Sequence, residues 1–137
     1  MADLMTQLLK ADVAKTEERA TGTFESKNLG KLLGKESETI HIREISPREF
    51  QGIRDMGTNK DGSRNPSKDF ESTGMICVKG ITDPCLTEKE LKEHFGVSFA
   101  HELAWKLFKM ETPAIADRIL KLSGILEEDE GDTLKNL

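Results

Sequence analysis

The chain has 137 residues, of which 33% are charged, and it carries a net charge of −5. A chain of this length and 36% hydrophobic content fits one domain with a modest core. It contains no apolar run of about 18 residues, so we expect no membrane span. The first twenty residues lack the basic start and apolar block of a secretion signal. The acidic balance without a Lys/Arg stripe argues against nucleic-acid binding.

The N-terminal segment predicts a helix over residues 3–19 with Asp3 as its N-cap. Its apolar stripe is thin and consists of Leu4, Leu8, Leu9 and Val13, joined by Met5. This stripe either packs on the domain or belongs to a mobile arm or self-association helix. Because so thin a stripe buries little surface, an isolated helix here would be marginal.

The next segment predicts two short strands. Residues 23–27 follow a break at Thr21-Gly22, and residues 39–45 alternate, with Ile40 and Ile42 separated by polar side chains. We expect them to pair as a small two-stranded antiparallel sheet in the N-terminal third. The fold class is therefore α+β, mostly α, with about five to six helices and no other sheet.

A strong helix start follows at Ser46, where Pro47 takes the first position and Glu49 completes a capping box. Gly57 is expected to end this helix. Residues 58–68 have the composition of a loop. Residues 70–81 are ambiguous, because the β-branched content favours a strand whereas the apolar spacing also fits one helical face.

Three further helices are predicted between residues 86 and 125. The first has Thr87 as N-cap and stops at Gly96, and the third has Thr112 as N-cap and stops at Gly124. The second, over residues 98–110, has a broad apolar arc that predicts burial against more than one neighbour. This arc consists of Phe99, Ala100, Leu103, Ala104, Leu107, Phe108 and Met110.

Trp105 falls outside that arc. Its indole either lies along a neighbouring element or serves as an anchor for a partner, since Trp is enriched at the centres of protein interfaces.

No pattern of catalytic residues or metal ligands is evident, so we predict no enzyme, no cofactor and no metal site. His94 and His101 lie on neighbouring predicted helices but lack the three or four converging ligands that a metal needs. Cys77 and Cys85 are most simply free thiols.

The chain resembles the XkdN-like tail assembly chaperones of phages and prophages of Gram-positive bacteria. The resemblance lies in Asp83-Pro84 followed by Leu86, the acidic helix TEKELKEHFGV and the segment ETPAIADRILKLSGI, and it covers about residues 24–125. It favours a helix over residues 70–81.

The resemblance implies a non-enzymatic chaperone that binds the tape measure protein, with the tail tube protein as a second partner. Such a protein acts in the host bacterial cytoplasm and is absent from the finished virion. A structural tail or adaptor subunit retained in the virion is the alternative. A chaperone of this kind needs exposed apolar groups, and the candidates are Leu4, Leu8, Leu9, Val13, Trp105 and Phe108.

The C-terminal end holds most of the negative charge. Residues 126–137 contain five acidic side chains and one Lys, and so account for four of the five net negative charges. We expect three parts in the chain: an N-terminal helix or arm at 1–20, a globular domain at 21–125, and an acidic tail at 126–137 that adds nothing to the fold.

Overall fold

The structure is a computed structural model that describes residues 3–126. The predicted acidic tail, apart from Leu126, lies outside the described residues. The elements run in chain order as α1 (Leu4–Leu9), a 3₁₀ helix (Val13–Glu17), β1 (Thr21–Ser26), α2 (Lys27–Leu32), β2 (Glu38–Arg43), α3 (Pro47–Met56), a 3₁₀ helix (Pro66–Lys68), α4 (Asp69–Gly80), β3 (Ile81–Asp83), α5 (Lys89–His94), α6 (Ala100–Phe108), a 3₁₀ helix (Lys109–Glu111) and α7 (Thr112–Leu122).

The described residues form a mostly helical α+β fold, as predicted. Six α-helices follow residue 20 in this part of the chain, within the predicted range of five to six. No helix in the described part is long and apolar enough to cross a membrane.

The sheet has three strands rather than two, in the order β1-β2-β3, and every pair is antiparallel. The predicted pairing of β1 with β2 is confirmed, with Thr21 opposite Arg43 and Ser26 opposite Glu38. The third strand was missed because it is only three residues long, and its Ile81 continues the apolar spacing of the preceding helix. Residues 69–80 themselves are helical, which confirms the assignment that the resemblance favoured.

The core lies where α4, α6 and α7 pack together against the sheet. Fully buried side chains come from all these elements and include Ile40, Ile42, Cys77, Leu103, Phe108, Ile115 and Ile119. Two glycines of α4 permit close helix contact, since a Cβ on Gly74 would lie 2.8 Å from the Cβ of His101 and a Cβ on Gly80 would overlap Ile119.

Several predicted helix ends are confirmed. Ser46 and Glu49 form the reciprocal capping box at the start of α3, and Gly57 caps its end. Gly96 and Gly124 both have positive φ, at 72° and 77°, and each precedes an apolar residue whose N–H bonds back into the helix. These glycines end α5 and α7 as expected.

Two predicted N-caps are wrong. The hydroxyl of Thr87 contacts the Sγ of Cys85 at 3.2 Å, and α5 begins two residues later without a side-chain cap. Thr112 is buried, and its hydroxyl donates to the carbonyl of Lys109 at 2.7 Å. The preceding 3₁₀ turn supplies that carbonyl, so α7 starts without a capping side chain.

The apolar arc of α6 is narrower than predicted. Phe99 is 61% exposed and Met110 is 81% exposed, so neither belongs to the core. The reason is the backbone: Phe99 is extended, with φ −117° and ψ 144°, and Lys109 has φ 50°. The 100° periodicity therefore holds only between these residues, over Ala100–Phe108.

Candidate partner-binding surfaces

The N-terminal arm, which we define as residues 3–20, leaves its apolar stripe open. The side chains of Leu4, Met5, Leu8, Leu9 and Val13 are between 61% and 79% exposed. The expectation that the stripe packs on the domain is therefore wrong, and the stripe forms an accessible apolar surface.

The arm is less regular than the single helix that the sequence predicts. Asp3 caps α1 as expected, accepting from the N–H of Thr6 at 2.8 Å, and these bonds hold the pKa of its carboxyl below the ordinary value. Helix α1 ends at Leu9, and Asp12 accepts from the N–H of Ala14 at 2.9 Å. That local bond competes with helix continuation and starts a separate 3₁₀ turn.

The base of the arm is fixed to the region where β2 leads into α3. Arg19 pairs with Glu49 at 3.2 Å, and the N–H of Ala20 donates to the carboxylate of Glu44 at 2.7 Å. Helix α1 begins at Leu4, which is 15 residues before Arg19, the first of the two residues that make these bonds.

Trp105 and Phe108 do not form an exposed pair. Phe108 is fully buried in the core, so it is wrong as a surface residue. Trp105 is half-buried, its ring stacks on Phe70 with centroids 4.0 Å apart, and its Nε1 donates to the carbonyl of Phe70 at 2.8 Å. The indole therefore lies along α4, which is the first of the two alternatives for this residue.

A second apolar surface is a groove of about 310 Å³ that sequence reasoning missed. We call it the α2–α5 groove, and its lining residues are Leu29, Leu32, Leu33, Glu38, Thr39, Asp83, Pro84, Leu91, Phe95 and Leu107. Leu32, the last residue of α2, and Leu33, which follows it, are 53% and 54% exposed. The sequence offers one signal for it: Leu91 of α5 and Phe95, which directly follows α5, are the two apolar residues of this segment that line the groove.

Helix α2, which forms one wall of the groove, is held by a residue far along the chain. The carboxylate of Glu111 accepts from the Ser26 hydroxyl at 2.7 Å and from the N–H groups of Lys27 and Asn28 at 2.8 and 3.3 Å. An anionic side chain at a helix N-terminus satisfies free N–H groups there and is favoured by the helix dipole. Glu111 thus anchors this wall to the junction of α6 and α7.

The charged residues that line the groove, Glu38 and Asp83, are acidic. Glu38 pairs with Lys35 at 2.6 Å, and the hydrogen bond and charge of Lys35 hold the pKa of Glu38 below its ordinary value. Asp83 is exposed at the end of β3.

Within residues 3–126, no group of three or more His, Cys, Asp or Glu side chains could hold a metal ion. Burial raises the pKa of the Cys77 thiol to about 12, so this thiol stays neutral at ordinary pH. Cys85 is exposed. The apolar surfaces that the described residues offer to a partner are the stripe of the arm and the α2–α5 groove.

The sequence profile of the phage XkdN-like tail assembly chaperone proteins matches residues 5–135. The chain belongs to this family. The match spans nearly the whole chain and includes residues 5–20 of the arm. Tail assembly chaperones have a non-enzymatic kind of role.

Among solved structures, this XkdN-like chaperone is similar to the crystal structure of the protein YqbN. The TM-score is 0.60 at 15% sequence identity, and the alignment covers 90% of this chain and 98% of YqbN. At that identity the likeness concerns the fold alone. No functionally curated protein matches the chain.

Proposed function

We propose that the chain binds the tape measure protein, keeps it soluble before assembly, and assists formation of the tail tube around it. The observation that carries this proposal is the exposed apolar stripe of the arm in a member of a tail assembly chaperone family. The tail tube protein is the second partner that this function requires. The chain would act in the host bacterial cytoplasm and leave before the virion is complete.

The physical argument concerns the solubility of the partner. A tape measure protein is long and helical, and before assembly its apolar surface has no tube subunits to cover it. An exposed apolar patch on a small acidic protein supplies a cover, while the net charge of −5 keeps the complex in solution. Helix α1 contains no charged residue, and four of its six residues are the apolar Leu4, Met5, Leu8 and Leu9.

The test is co-expression with the tape measure protein encoded by the same phage. We expect the wild-type chain to raise the soluble yield of that protein. The double variant Leu4→Asp/Leu8→Asp should remove the gain, because it places two charges on the stripe. Its melting temperature should equal that of the wild type, since both positions are exposed.

Met110→Asp is the matched control. Met110 is 81% exposed and lies outside both the arm and the α2–α5 groove, so this variant should solubilise as well as the wild type. A double arm variant that folds and still solubilises the tape measure protein would show that the arm is not the binding surface. If the wild-type chain does not raise the soluble yield of the tape measure protein, the proposed function is wrong. If the chain is found in purified phage particles, its release before the virion is complete is wrong.

A further inference from the structure

One side of strand β1 has no neighbouring strand. The sheet order is β1-β2-β3, so among residues 3–126 β1 pairs only with β2. The carbonyl of Ala20 accepts from the N–H of Glu44 at 2.8 Å, in the same register as the β1–β2 pairing. Because bonded residues alternate along an antiparallel strand, every second residue of β1 turns its N–H and C=O groups away from β2. These outward residues are Thr21, Thr23 and Glu25. We call their outward side the β1 edge.

The two edges of the sheet differ in how they are protected against a further strand. β3 is three residues long, its pairing with β2 has a register irregularity, and Pro84 follows it. β1 is six residues long, pairs with β2 in a regular register, and contains no Pro and no Lys. Proteins commonly protect sheet edges with short strands, bulges, Pro or Lys. The β1 edge, about 20 Å long, has none of these devices and can accept a further strand.

Two side chains of α7 lie at this edge. Nη2 of the exposed Arg118 donates to the carbonyl of Thr23 at 3.2 Å. A strand added here would bond its own N–H to that carbonyl and leave the guanidinium beside the added chain, where a carboxylate is its strongest partner. On the core side, the half-buried Leu122 lies 3.5 Å from the position of a Cβ on Gly22. An added strand therefore meets a cation on one residue and an apolar surface on its inward side.

We propose that the β1 edge binds an extended segment of another protein by strand addition, with an acidic side chain of the segment on Arg118 and an apolar one beside Leu122. The main-chain hydrogen bonds provide affinity, and the two side-chain positions provide selectivity. The β1 edge is separate from the stripe of the arm, which is the surface proposed for the tape measure protein. The chain can thus hold an extended segment and a helical segment at the same time.

Charge argues for another protein, and against a second copy, as the occupant. Antiparallel pairing of two β1 edges about Thr23 would bring both Arg118 side chains together. Like charges on paired positions are destabilising, whereas an acidic segment neutralises the cation. The choice of tail proteins as the source of this segment rests on the proposed function.

The first test uses overlapping peptides of the tail tube and tape measure proteins of the same phage, each long enough to span β1. We expect at least one peptide with Asp or Glu to bind the full chain in fluorescence anisotropy. Thr23→Pro should weaken that binding by about tenfold or more, because Pro lacks the outward N–H and its ring obstructs the edge. The sheet should survive, since this N–H does not bond to β2. Thr23→Val keeps the N–H and is the matched control that binds like the wild type.

Two N-methylated versions of the binding peptide test the geometry on the unaltered chain. Each carries methyl groups on every second backbone nitrogen, in opposite phase. Only one side of an added strand faces β1, so one version should lose binding and the other should keep it. A peptide bound as a helix would lose binding in both versions, and one bound by side chains alone would lose it in neither. In the complex, hydrogen exchange at the N–H groups of the β1 edge should slow.

Charge reversal tests the role of Arg118. Arg118→Glu should weaken binding of the acidic peptide by about tenfold, and a peptide with Lys in place of the acid should prefer this variant to the wild type. Equal binding of both peptides by both chains would show that Arg118 does not select the segment.

Three results would overturn the proposal: no peptide whose binding depends on the β1 edge, two N-methylated versions that behave alike, or an effect of Thr23→Pro on self-association only. The proposed function is judged separately, by the soluble yield of the tape measure protein. If the wild-type chain raises that yield but no peptide binds at the β1 edge, only strand addition is wrong. If a peptide binds at the edge without any gain in soluble yield, only the proposed function is wrong.

Discussion

The arm and the helical core are built from the same kinds of side chain and differ in what covers them. Leu4 and Leu8 in the arm are more than 60% exposed, whereas Leu103 and Ile119 in the core have no exposed surface. Both regions have amphipathic helices, and the arm even has a good N-cap. An amphipathic pattern therefore predicts that a helix has an apolar face to bury. Whether another part of the same chain covers that face depends on the rest of the fold.

The largest expected contrast comes from truncating one apolar side chain in each region. Ile119→Ala leaves a cavity between α7 and α4, and should lower the free energy of unfolding by about 2–5 kcal/mol. Leu8→Ala should change it by less than about 0.5 kcal/mol, because the side chain is already exposed. Urea denaturation measures both. A comparable loss from Leu8→Ala would show that the arm packs on the core.

Glycine substitutions give the next effect. Gly80→Ala places a Cβ onto the buried Ile119 and should cost about 1–3 kcal/mol, because the packed helices must move apart. Gly52→Ala, on the exposed side of α3, meets no atom within 4 Å and should stabilise by about 0.5–1 kcal/mol. Thermal melts of both variants test whether α4 touches α7 as closely as described. A neutral Gly80→Ala would contradict that contact.

Equivalent caps in the two regions should have unequal effects. Ser46→Ala removes the cap of α3 and should lower the free energy of unfolding by about 1 kcal/mol. Asp3→Ala removes the cap of α1 and should leave global unfolding unchanged, since α1 is outside the core. Denaturant titration measures the free energy of unfolding of both variants. Equal losses would show that the arm and the core unfold as one cooperative unit.

The pH dependence of the same capping box can be assigned a sign. Burial raises the pKa of Glu49, but its bonds with Ser46 and the charge of Arg19 outweigh this and lower the pKa below the ordinary value of 4.5. The carboxylate therefore stabilises the fold above that value, and the contribution disappears as pH falls through the lowered pKa. Glu49→Gln should flatten the stability curve in this acid range, and an unchanged curve would argue against the box.

The smallest effect is expected from removing residues 127–137. Five acidic side chains in this segment repel one another, so truncation after Leu126 should move the melting temperature by no more than a degree or two. A scanning calorimeter measures this directly. A large drop would show that the segment packs on the domain.

Local signals in the sequence predicted much of the fold. The capping box at Ser46, the glycine stops at Gly96 and Gly124, and the pairing of β1 with β2 all depend on a few adjacent residues or one alternating pattern. The errors arose where residues distant in the sequence determine the local structure. The short strand β3 forms by pairing with β2, where Ile81 lies opposite Ile42 and Asp83 opposite His41, and no local pattern specifies it.

The candidate surfaces were harder to predict for the same reason. The arm's stripe was visible as a spacing of leucines, but its exposure depends on what the rest of the chain leaves uncovered. Phe108 was misplaced as a surface residue although it belongs to the apolar arc of α6 that predicts burial, and the structure buries it. The groove combines α2, α5 and the end of β3, which are far apart in sequence and meet only in the fold.

Because Glu111 binds the start of α2, the stripe of the arm and the α2–α5 groove are completed at different times during protein synthesis. Helix α2 has a local cap in Ser26, but the carboxylate that also binds its first N–H groups is 84 residues downstream of Lys27. Helix α1 of the arm, by contrast, has its cap Asp3 directly before it in the sequence. During synthesis the apolar side chains of the arm are therefore made long before the groove is complete, because Leu107 of its lining and Glu111 come late in the chain.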